Sequence, residues 1–410
     1  MSFPHPHRVL LLGGFLTSLS HALVLLTHSP STNLTILERS PSALLHNQGA
    51  GVVAGPDVQA FFDKYVRPGR DVAVSSKARL YLDGSGGVIE GCVEEREQSM
   101  TSWDVLYRLL RWRVDGMGAG EYWGDVVAGE TQPGNAGPKA EYRYGCTVEG
   151  LEDLGDEGVR VSWRDREGEV RSEVADLVIA ADGASSKARG ILKPEVERRY
   201  VALRGTVEET EMSEEAREVF FEKFAFFRGQ GIQILAYSIP GENGDLREGK
   251  RLVNWVWYVN FEDGSEDLES LMTDKEGKRY PITLPAGGMR EEIWQREKRR
   301  AEDVLPPQFA ELVVKTKQPF VQAITDVISE ENMFFDGKIL MVGDALAGFR
   351  PHTAASTSQA TFDAMTLGEW MTGDIDRTTY RDKVLGYAQD VQRHGVELGE
   401  RSQFGRHPFS

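Results

Sequence analysis

At 410 residues the chain exceeds what one hydrophobic core usually organises, so two cores are expected. Its 40% apolar and 27% charged residues are those of a globular protein. A net charge of −17 argues against nucleic-acid partners, which need Lys and Arg on their phosphates, and against stable membrane association. Two cysteines, Cys92 and Cys146, exclude a disulfide framework, no Cys/His spacing suggests a metal, and a cytoplasmic setting is expected.

The first element poses a choice. Residues 8–30, RVLLLGGFLTSLSHALVLLTHSP, have the apolar look of a signal peptide or anchor. No A-x-A-like cleavage site follows, and Gly13, Gly14, Thr17, Ser18, Ser20 and His21 interrupt the run of about 20 apolar residues that a membrane span needs. The same stretch reads better as a strand over Arg8–Leu12, a glycine turn, and a helix over Leu16–Leu26 with Leu16, Leu19, Leu23 and Leu26 at helical spacing. NLTILERS then supplies a second strand ending in Glu38, which completes a βαβ unit.

Beyond it, GAGVVAGPDVQAFFDKY is a glycine-rich loop and a short helix, and residues 74–93 suggest a hairpin around Asp83-Gly84-Ser85-Gly86. TSWDVLYRLLRW is a helix capped by Thr101 or Ser102; its Arg108 and Arg111, about one turn apart, are expected as solvated charges. Antiparallel strands follow up to LVIAADG, a buried strand stopping at Asp182-Gly183. Residues from about 200 to 325 carry aromatic strands (RLVNWVWYVNF), a charged linker at 264–280 and a charged helix at 289–304. GKILMVGDALAGFRPHTAASTSQATFDAM then returns to a buried strand, a loop and a long helix, with Ser356 and Gln359 spaced as a capping box.

Three turns carry chemistry. In a dinucleotide fingerprint the first glycine makes the turn, the second lets the pyrophosphate approach and the third packs helix on strand. Gly13 keeps the first role, Gly14 adds freedom, but Phe15 and Ser18 stand at the other two places. Glu38 is placed to accept bonds from a ribose; a plain Gly-Gly turn with a surface Glu is the alternative. Asp182-Gly183, with Ser186 and Arg189, ends a strand where open α/β sheets bind ligands, or else caps the next helix. Gly343-Asp344 ends another, and the helix after Pro351 presents a positive N-terminus to an anion. On the aromatic strand, Trp255 and Trp257 alternate with Tyr258, a candidate substrate contact, and His352 is either a proton-transfer base or a residue that orders its loop.

In the order G-G, D-G, G-D, these segments resemble the single-component FAD-dependent aromatic hydroxylases of the p-hydroxybenzoate hydroxylase fold. ILERS, GAGVV, TSWDVLYRLLR, DLVIAADGASSKAR, NWVWY and GDALAGFRPHTAASTSQA look most like the 2,6-dihydroxypyridine 3-hydroxylase branch. The resemblance implies an α/β fold: a Rossmann-like FAD-binding domain of the GR2 type (1–75, 100–195 and 326–375), and an inserted α+β substrate domain on a mainly antiparallel sheet (76–99 and 196–325). A C-terminal helical segment (376–410) would follow. It implies Gly13, Gly14, Phe15, Leu16, Glu38, Arg39, Gln48, Gly51, Asp182, Gly343, Asp344, Pro351, Thr353, Ala354 and Ala355 around FAD, and Pro351, His352 and Tyr258 at the reacting centre. NAD(P)H would be a transient reductant, and O2 would be transferred to a phenolic or heteroaromatic substrate through a flavin C4a-hydroperoxide, with or without oxidative decarboxylation, by a monomer or homodimer. The alternatives are oxidation or epoxidation of a non-aromatic metabolite, and a non-catalytic relative whose Phe15 impairs FAD binding.

Overall fold

A computed structural model describes residues 2–44, 51–117, 140–192, 197–262 and 264–403. Among these residues the strands form three sheets. The first has the order Met333–Phe334, Ile339–Met341, Leu177–Ala180, Arg8–Leu12, Asn33–Glu38, Glu141–Tyr144, and only its Met333–Phe334 edge runs antiparallel. Val9–Leu12 and Leu177–Ala180 are buried throughout, as their unbroken apolar sequences require of strands covered on both faces. From Arg8–Leu12 the chain crosses to Asn33–Glu38 on one side, whereas Leu177–Ala180 lies on the other. The carboxyl ends of Arg8–Leu12 and Leu177–Ala180 therefore flank a topological switch point, where open α/β sheets form a crevice.

Helix Leu16–His28 covers this sheet and packs against helix Ser356–Thr372. Its polar residues, which argued against a membrane span, are buried in protein: Ser18, Ser20 and His21 are all inaccessible. His21 Nδ1 pairs with the Thr17 carbonyl at 2.7 Å, and burial holds its pKa down to about 4, so it sits in the core as a neutral ring. Among the described residues no helix is long and apolar enough to cross a membrane.

The second sheet runs Thr283–Leu284, Phe320–Ile328, Glu197–Glu208, Leu252–Val259, Ile232–Ile239, Lys223–Gly229, Val74–Leu82, Glu94–Ser102, Gly51–Val53. All its pairings are antiparallel except Lys223–Gly229 with Val74–Leu82. Strand alternation splits its side chains cleanly. Trp255 and Trp257 face a helical layer (Glu214–Phe220, Glu291–Val304 and Pro307–Lys315), where Trp255 Nε1 donates to Thr316 Oγ1 at 2.8 Å and the Trp255 ring stacks near Trp294. Tyr81, Phe224, Phe226, Leu235, Tyr237, Val256 and Tyr258 form a second cluster on the opposite face. The third sheet is the antiparallel trio Thr147–Asp153, Val159–Arg164, Val170–Ala175.

Several local expectations are corrected. The hairpin at Asp83–Gly87 forms but is short, with Asp83 Oδ1 accepting from the Ser85 and Gly87 amides and Leu82 bridged to Val88; most of Val74–Leu82 pairs further on, with Glu94–Ser102. Gly51–Val53, expected within a glycine-rich loop, is a strand that pairs with Glu94–Ser102 of the large sheet. Part of the charged linker is a helix, Glu266–Leu271, because Ser265 caps it through the Leu268 amide. Ser356 and Gln359 make no capping box: the helix begins at Ser356 after Ala355, without a side-chain cap.

Candidate cofactor and substrate site

Gly13 has φ +89°, and a Cβ there would lie 2.6 Å from the Ala181 carbonyl oxygen and 2.8 Å from Asp182 Cα. The glycine turn is thus seated directly on the end of the neighbouring strand, which only glycine permits. The next peptide is held from both sides. Gly14 N–H donates to Glu38 Oε2 at 2.7 Å, and the Tyr142 hydroxyl donates to the Gly14 carbonyl. Glu38 is buried, not a surface residue; its other oxygen accepts from the Ser40 amide at 2.7 Å. Burial pushes its pKa up, opposed by those two amide bonds. Arg39 beside it is exposed.

Phe15 turns its ring edge-on to Trp103 (centroids 5.3 Å apart) and Tyr107 (6.3 Å), on the first turns of helix Trp103–Asp115, and stays 36% exposed. From buried Leu16 onward, helix Leu16–His28 starts with no side-chain cap and no acidic residue in its first turn, leaving its dipole end open to an anion. Arg108 and Arg111, expected in solvent, are buried. Arg111 donates to the Tyr107 and Tyr144 hydroxyls (2.6 Å each), the Ala43 carbonyl (2.7 Å) and Asp115 (2.8 Å), and lies 4.1 Å from the Tyr142 ring centre. Protein acceptors and the Tyr142 ring face stand in for the water that an exposed guanidinium would have.

Asp182 caps helix Lys187–Leu192: one carboxylate oxygen accepts from the Ser186 hydroxyl at 2.5 Å, the other from the Lys187 and Ala188 amides at 2.6 and 3.2 Å. Arg189 connects this turn to the third one. Its buried guanidinium donates to the carbonyls of Ala184 (2.6 Å), Asp344 (3.1 Å) and Ala345 (2.8 Å). Gly343 packs on Thr17 of the first helix, so three turns far apart in sequence meet at the switch point. Asp344 Oδ1 is buried there with no hydrogen-bond partner. Burial pushes the Asp344 pKa up, against a bond from Ser356 and the charge of Arg189. An acceptor left open in a crevice is what a ribose or ribityl hydroxyl would complete, so the residues present fit FAD.

Gly343 N–H donates to Asp363 Oδ2 at 2.9 Å. Asp363 is inaccessible, and burial lifts its pKa from 3.8 to about 8, the Gly343 bond opposing. A folded value above the unfolded one favours the fold most below about pH 4, and this contribution is lost as pH rises through about 8. Asp363→Asn keeps an acceptor for Gly343 and removes the titration. It is expected to match the wild type in thermal melting at pH 4 and to exceed its stability at pH 9 by about 1–3 kcal/mol.

The Pro351–Thr353 turn leads into Ala354 at φ +53°, then Ala355 and the uncapped start of helix Ser356–Thr372. Arg350 fastens this loop to helix Arg377–Gln403 through Glu400 at 3.0 Å. The His352 ring lies 4.3 Å from that of Tyr258, which brings the loop against the aromatic face of the large sheet. Burial, with Arg350 and Arg228, lowers the His352 pKa to about 3. So weak a base suits ordering the loop better than taking a proton near neutrality. Burial pushes the Tyr258 phenol up, with Arg204 opposing. Gly51 N–H donates to Asn254 on the same face at 2.9 Å, and Gln48 lies outside the described residues. Sequence reasoning missed Arg189 as the connector, Asp363 behind Gly343, and Arg204 and Arg228 among the aromatics. Of these only Arg189 carried a signal, in the D-G-x-x-S-x-x-R spacing.

A family model described as FAD binding domain-like matches residues 198–326, the part that carries most of the large sheet. The chain is 28% identical over 376 residues to 2,6-dihydroxypyridine 3-monooxygenase of Paenarthrobacter nicotinovorans, covering 91% of this chain and 85% of that protein. Among solved structures it superposes on 2,6-dihydroxypyridine-3-hydroxylase from Arthrobacter nicotinovorans with a TM-score of 0.79, at 25% identity over 98% of this chain and 95% of that one. Klebsiella pneumoniae HpxO, solved with FAD and uric acid, matches with a TM-score of 0.68, at 16% identity over 97% and 89% of the two chains. The architecture is that of the p-hydroxybenzoate hydroxylase-type flavoproteins, with FAD as the cofactor.

Proposed function

We propose that this chain, an FAD-dependent monooxygenase homologous to 2,6-dihydroxypyridine 3-monooxygenase, uses NAD(P)H and O2 to hydroxylate a phenolic or heteroaromatic ring lying between the Pro351 loop and the aromatic face of the large sheet. The observation that carries this is the buried, unpartnered oxygen of Asp344 at the switch point, a few residues before the Pro351 loop whose His352 packs on Tyr258 of that face. FAD, once bound and reduced by NAD(P)H, supplies the activation of O2. The start of helix Leu16–His28, from Phe15 and Leu16 onward, would take the pyrophosphate, with the Gly13–Gly14 turn shaping its approach while its own amides bind Leu37 and Glu38; Glu38 and Arg39 would take the adenosine end and Asp344 a ribose or ribityl hydroxyl. Pro351 and Thr353–Ala355 would lie along the flavin ring.

The aromatic wall then keeps water from the reacting centre, and Tyr258 and His352 orient the ring over it. The same reading supports a division into an FAD-binding part (1–75, 100–195, 326–375), a substrate part (76–99, 196–325) and a C-terminal segment (376–410), except that Gly51–Val53 pairs with the substrate sheet. Oxidative decarboxylation is the outcome proposed where the attacked carbon bears a carboxylate. The test is NAD(P)H oxidation by the FAD-loaded protein with a panel of phenols, hydroxybenzoates and hydroxypyridines, with product masses. The expected result is a product heavier by one oxygen atom, or, where a ring carboxylate is displaced as CO2, one in which OH has replaced COOH and the mass falls by that of CO. Failure of every aromatic to raise turnover above the peroxide-forming background would refute the proposal.

A further inference from the structure

Phe15 stands where a fingerprint glycine is expected, and its ring belongs to a closed circuit of contacts. On helix Trp103–Asp115 the residues Trp103, Tyr107 and Arg111 recur at every fourth position and form one stripe. On strand Glu141–Tyr144 the residues Tyr142 and Tyr144 share one face. The two stripes meet. The Phe15 ring lies edge-on to Trp103, whose ring stacks on Tyr107 with centroids 4.6 Å apart. The Tyr107 hydroxyl accepts from Arg111 at 2.6 Å, and the Arg111 guanidinium lies 4.1 Å from the centre of the Tyr142 ring. The Tyr142 hydroxyl returns to the start, donating to the Gly14 carbonyl.

The circuit closes on a single peptide. Gly14 C=O and Phe15 N–H lie in one planar trans unit, so pinning the carbonyl fixes the direction of the amide on its opposite side. That amide stands at the uncapped start of helix Leu16–His28, the terminus open to an anion. Gly13 seats the turn on the neighbouring strand; the circuit sets the plane of the peptide that follows. Phe15 itself has φ −108°, an extended conformation that needs no glycine, and its side chain leaves toward Trp103. Arg111 is the charged member of the circuit, and its side chain is inaccessible, so it cannot touch a ligand. The Tyr144 hydroxyl, the Ala43 carbonyl and Asp115 complete its bonds. Its charge also favours the ionised form of Glu38, which holds the Gly14 N–H at 2.7 Å. Both sides of Gly14 therefore depend on one buried guanidinium.

We propose that Arg111 is a positioning residue of the FAD site, acting through Tyr142 and Glu38 on the Gly14 peptide, and that Phe15 anchors the same peptide through Trp103 and Tyr107 rather than obstructing the phosphates. The helix terminus then presents the Phe15 N–H in one fixed direction before the cofactor arrives, and less ordering remains to oppose binding. This rests on the reading that the terminus meets the pyrophosphate of FAD.

The test titrates the flavin-free protein with FAD and with FMN by flavin fluorescence, and records the visible spectrum of the FAD-saturated form. Phe15→Gly, which restores the fingerprint glycine, is expected to weaken FAD binding by at least about threefold as the aromatic pair is lost. An obstructing ring would give the opposite sign. Tyr142→Phe is expected to weaken it about fivefold and Arg111→Met at least about tenfold, with Arg111→Lys recovering part of the loss. In the Arg111→Met background, Phe15→Gly and Tyr142→Phe should each weaken it by less than about twofold more, because the circuit is already open; independent packing losses would add in full. Arg111→Met leaves Asp115 without its partner, so if it does not fold, Phe15→Gly and Tyr142→Phe, singly and combined, carry the same test of coupling. The spectrum of bound FAD is expected to stay that of the wild type, because the flavin ring would lie at the far end of the site. Phe15→Gly binding FAD as well as the wild type or better, full additivity, or a spectrum moved toward free flavin would overturn this proposal. A wild type that binds FMN as tightly as FAD would instead remove the reading of the terminus as a pyrophosphate site, and the proposal with it.

Discussion

Asp344→Ala protein is expected to leave purification with little flavin, and to need about ten- to a hundredfold more FAD for half-saturation than the wild type, as a hydrogen bond to a charged acceptor contributes about 1.5–3 kcal/mol. The carboxylate sits at the crevice with Oδ1 buried and unpartnered, and burial pushes its pKa up. In the absence of FAD this side chain therefore costs stability, since a polar oxygen has left water without a replacement. The substitution should accordingly act with opposite signs: the flavin-free form melts no lower than the wild type, and the flavin-loaded form loses the increment that ligand binding gives. Arg189 reaches Asp344 through its backbone carbonyl, so truncation leaves that connection in place and isolates the carboxylate. Titration of FAD by flavin fluorescence, alongside melting with and without FAD, reads both effects. Unchanged occupancy would show that FAD does not use this oxygen.

Much of this site is readable in the sequence, for physical reasons that differ by element. The βαβ start is legible because each piece has one strong local pattern: an apolar run buried on both faces, a glycine turn, and leucines at helical spacing. Arg8–Leu12 and Asn33–Glu38 fall where those patterns put them. Asp182 and Asp344 are legible because an acid at the end of a buried strand is costly without a purpose. Phe15 looked like an obstruction in the one dimension of the chain. Trp103 and Tyr107, nearly ninety residues away, give its ring another place to lie.

What was hidden depends on long-range packing. Nothing local shows that Arg111 gathers three tyrosines, or that Arg189 serves carbonyls more than 150 residues away. Ser356 and Gln359 have the spacing of a capping box, yet Ser356 engages Asp344 and Gln359 is buried with both amide atoms unpartnered. At this helix start the crevice, not the helix, decides where polar side chains go. The aromatic strand shows the same limit. Alternation predicts that Trp257 and Tyr258 part company, but which of them faces the Pro351 loop depends on which face the helices cover.

Gly13→Ala is expected to be the most damaging single-methyl substitution in the crevice, costing about 2–4 kcal/mol of stability and most of the FAD occupancy. Two penalties add. A side chain at φ +89° is strained in any surroundings, and the new Cβ would lie 2.6 Å from the Ala181 carbonyl oxygen and 2.8 Å from Asp182 Cα. Both obstacles are backbone, at the end of a strand that pairs with Arg8–Leu12 along its whole length, so neither can swing aside. Relief requires the glycine turn to lift away from Asp182, which widens the crevice where the helix terminus would meet the pyrophosphate. Gly14→Ala is the comparison that separates strain from crowding. Gly14 has no positive φ, and its Cβ would meet the end of the Tyr142 side chain and Glu38 Cβ at 3.0 Å, side-chain atoms rather than a neighbouring strand's backbone. Urea unfolding with and without FAD should therefore rank Gly13→Ala well below Gly14→Ala in stability and occupancy. Equal losses would mean that the Tyr142 and Glu38 clamp on the Gly14 peptide, rather than the seat of Gly13 on the neighbouring strand, holds the turn in its binding shape.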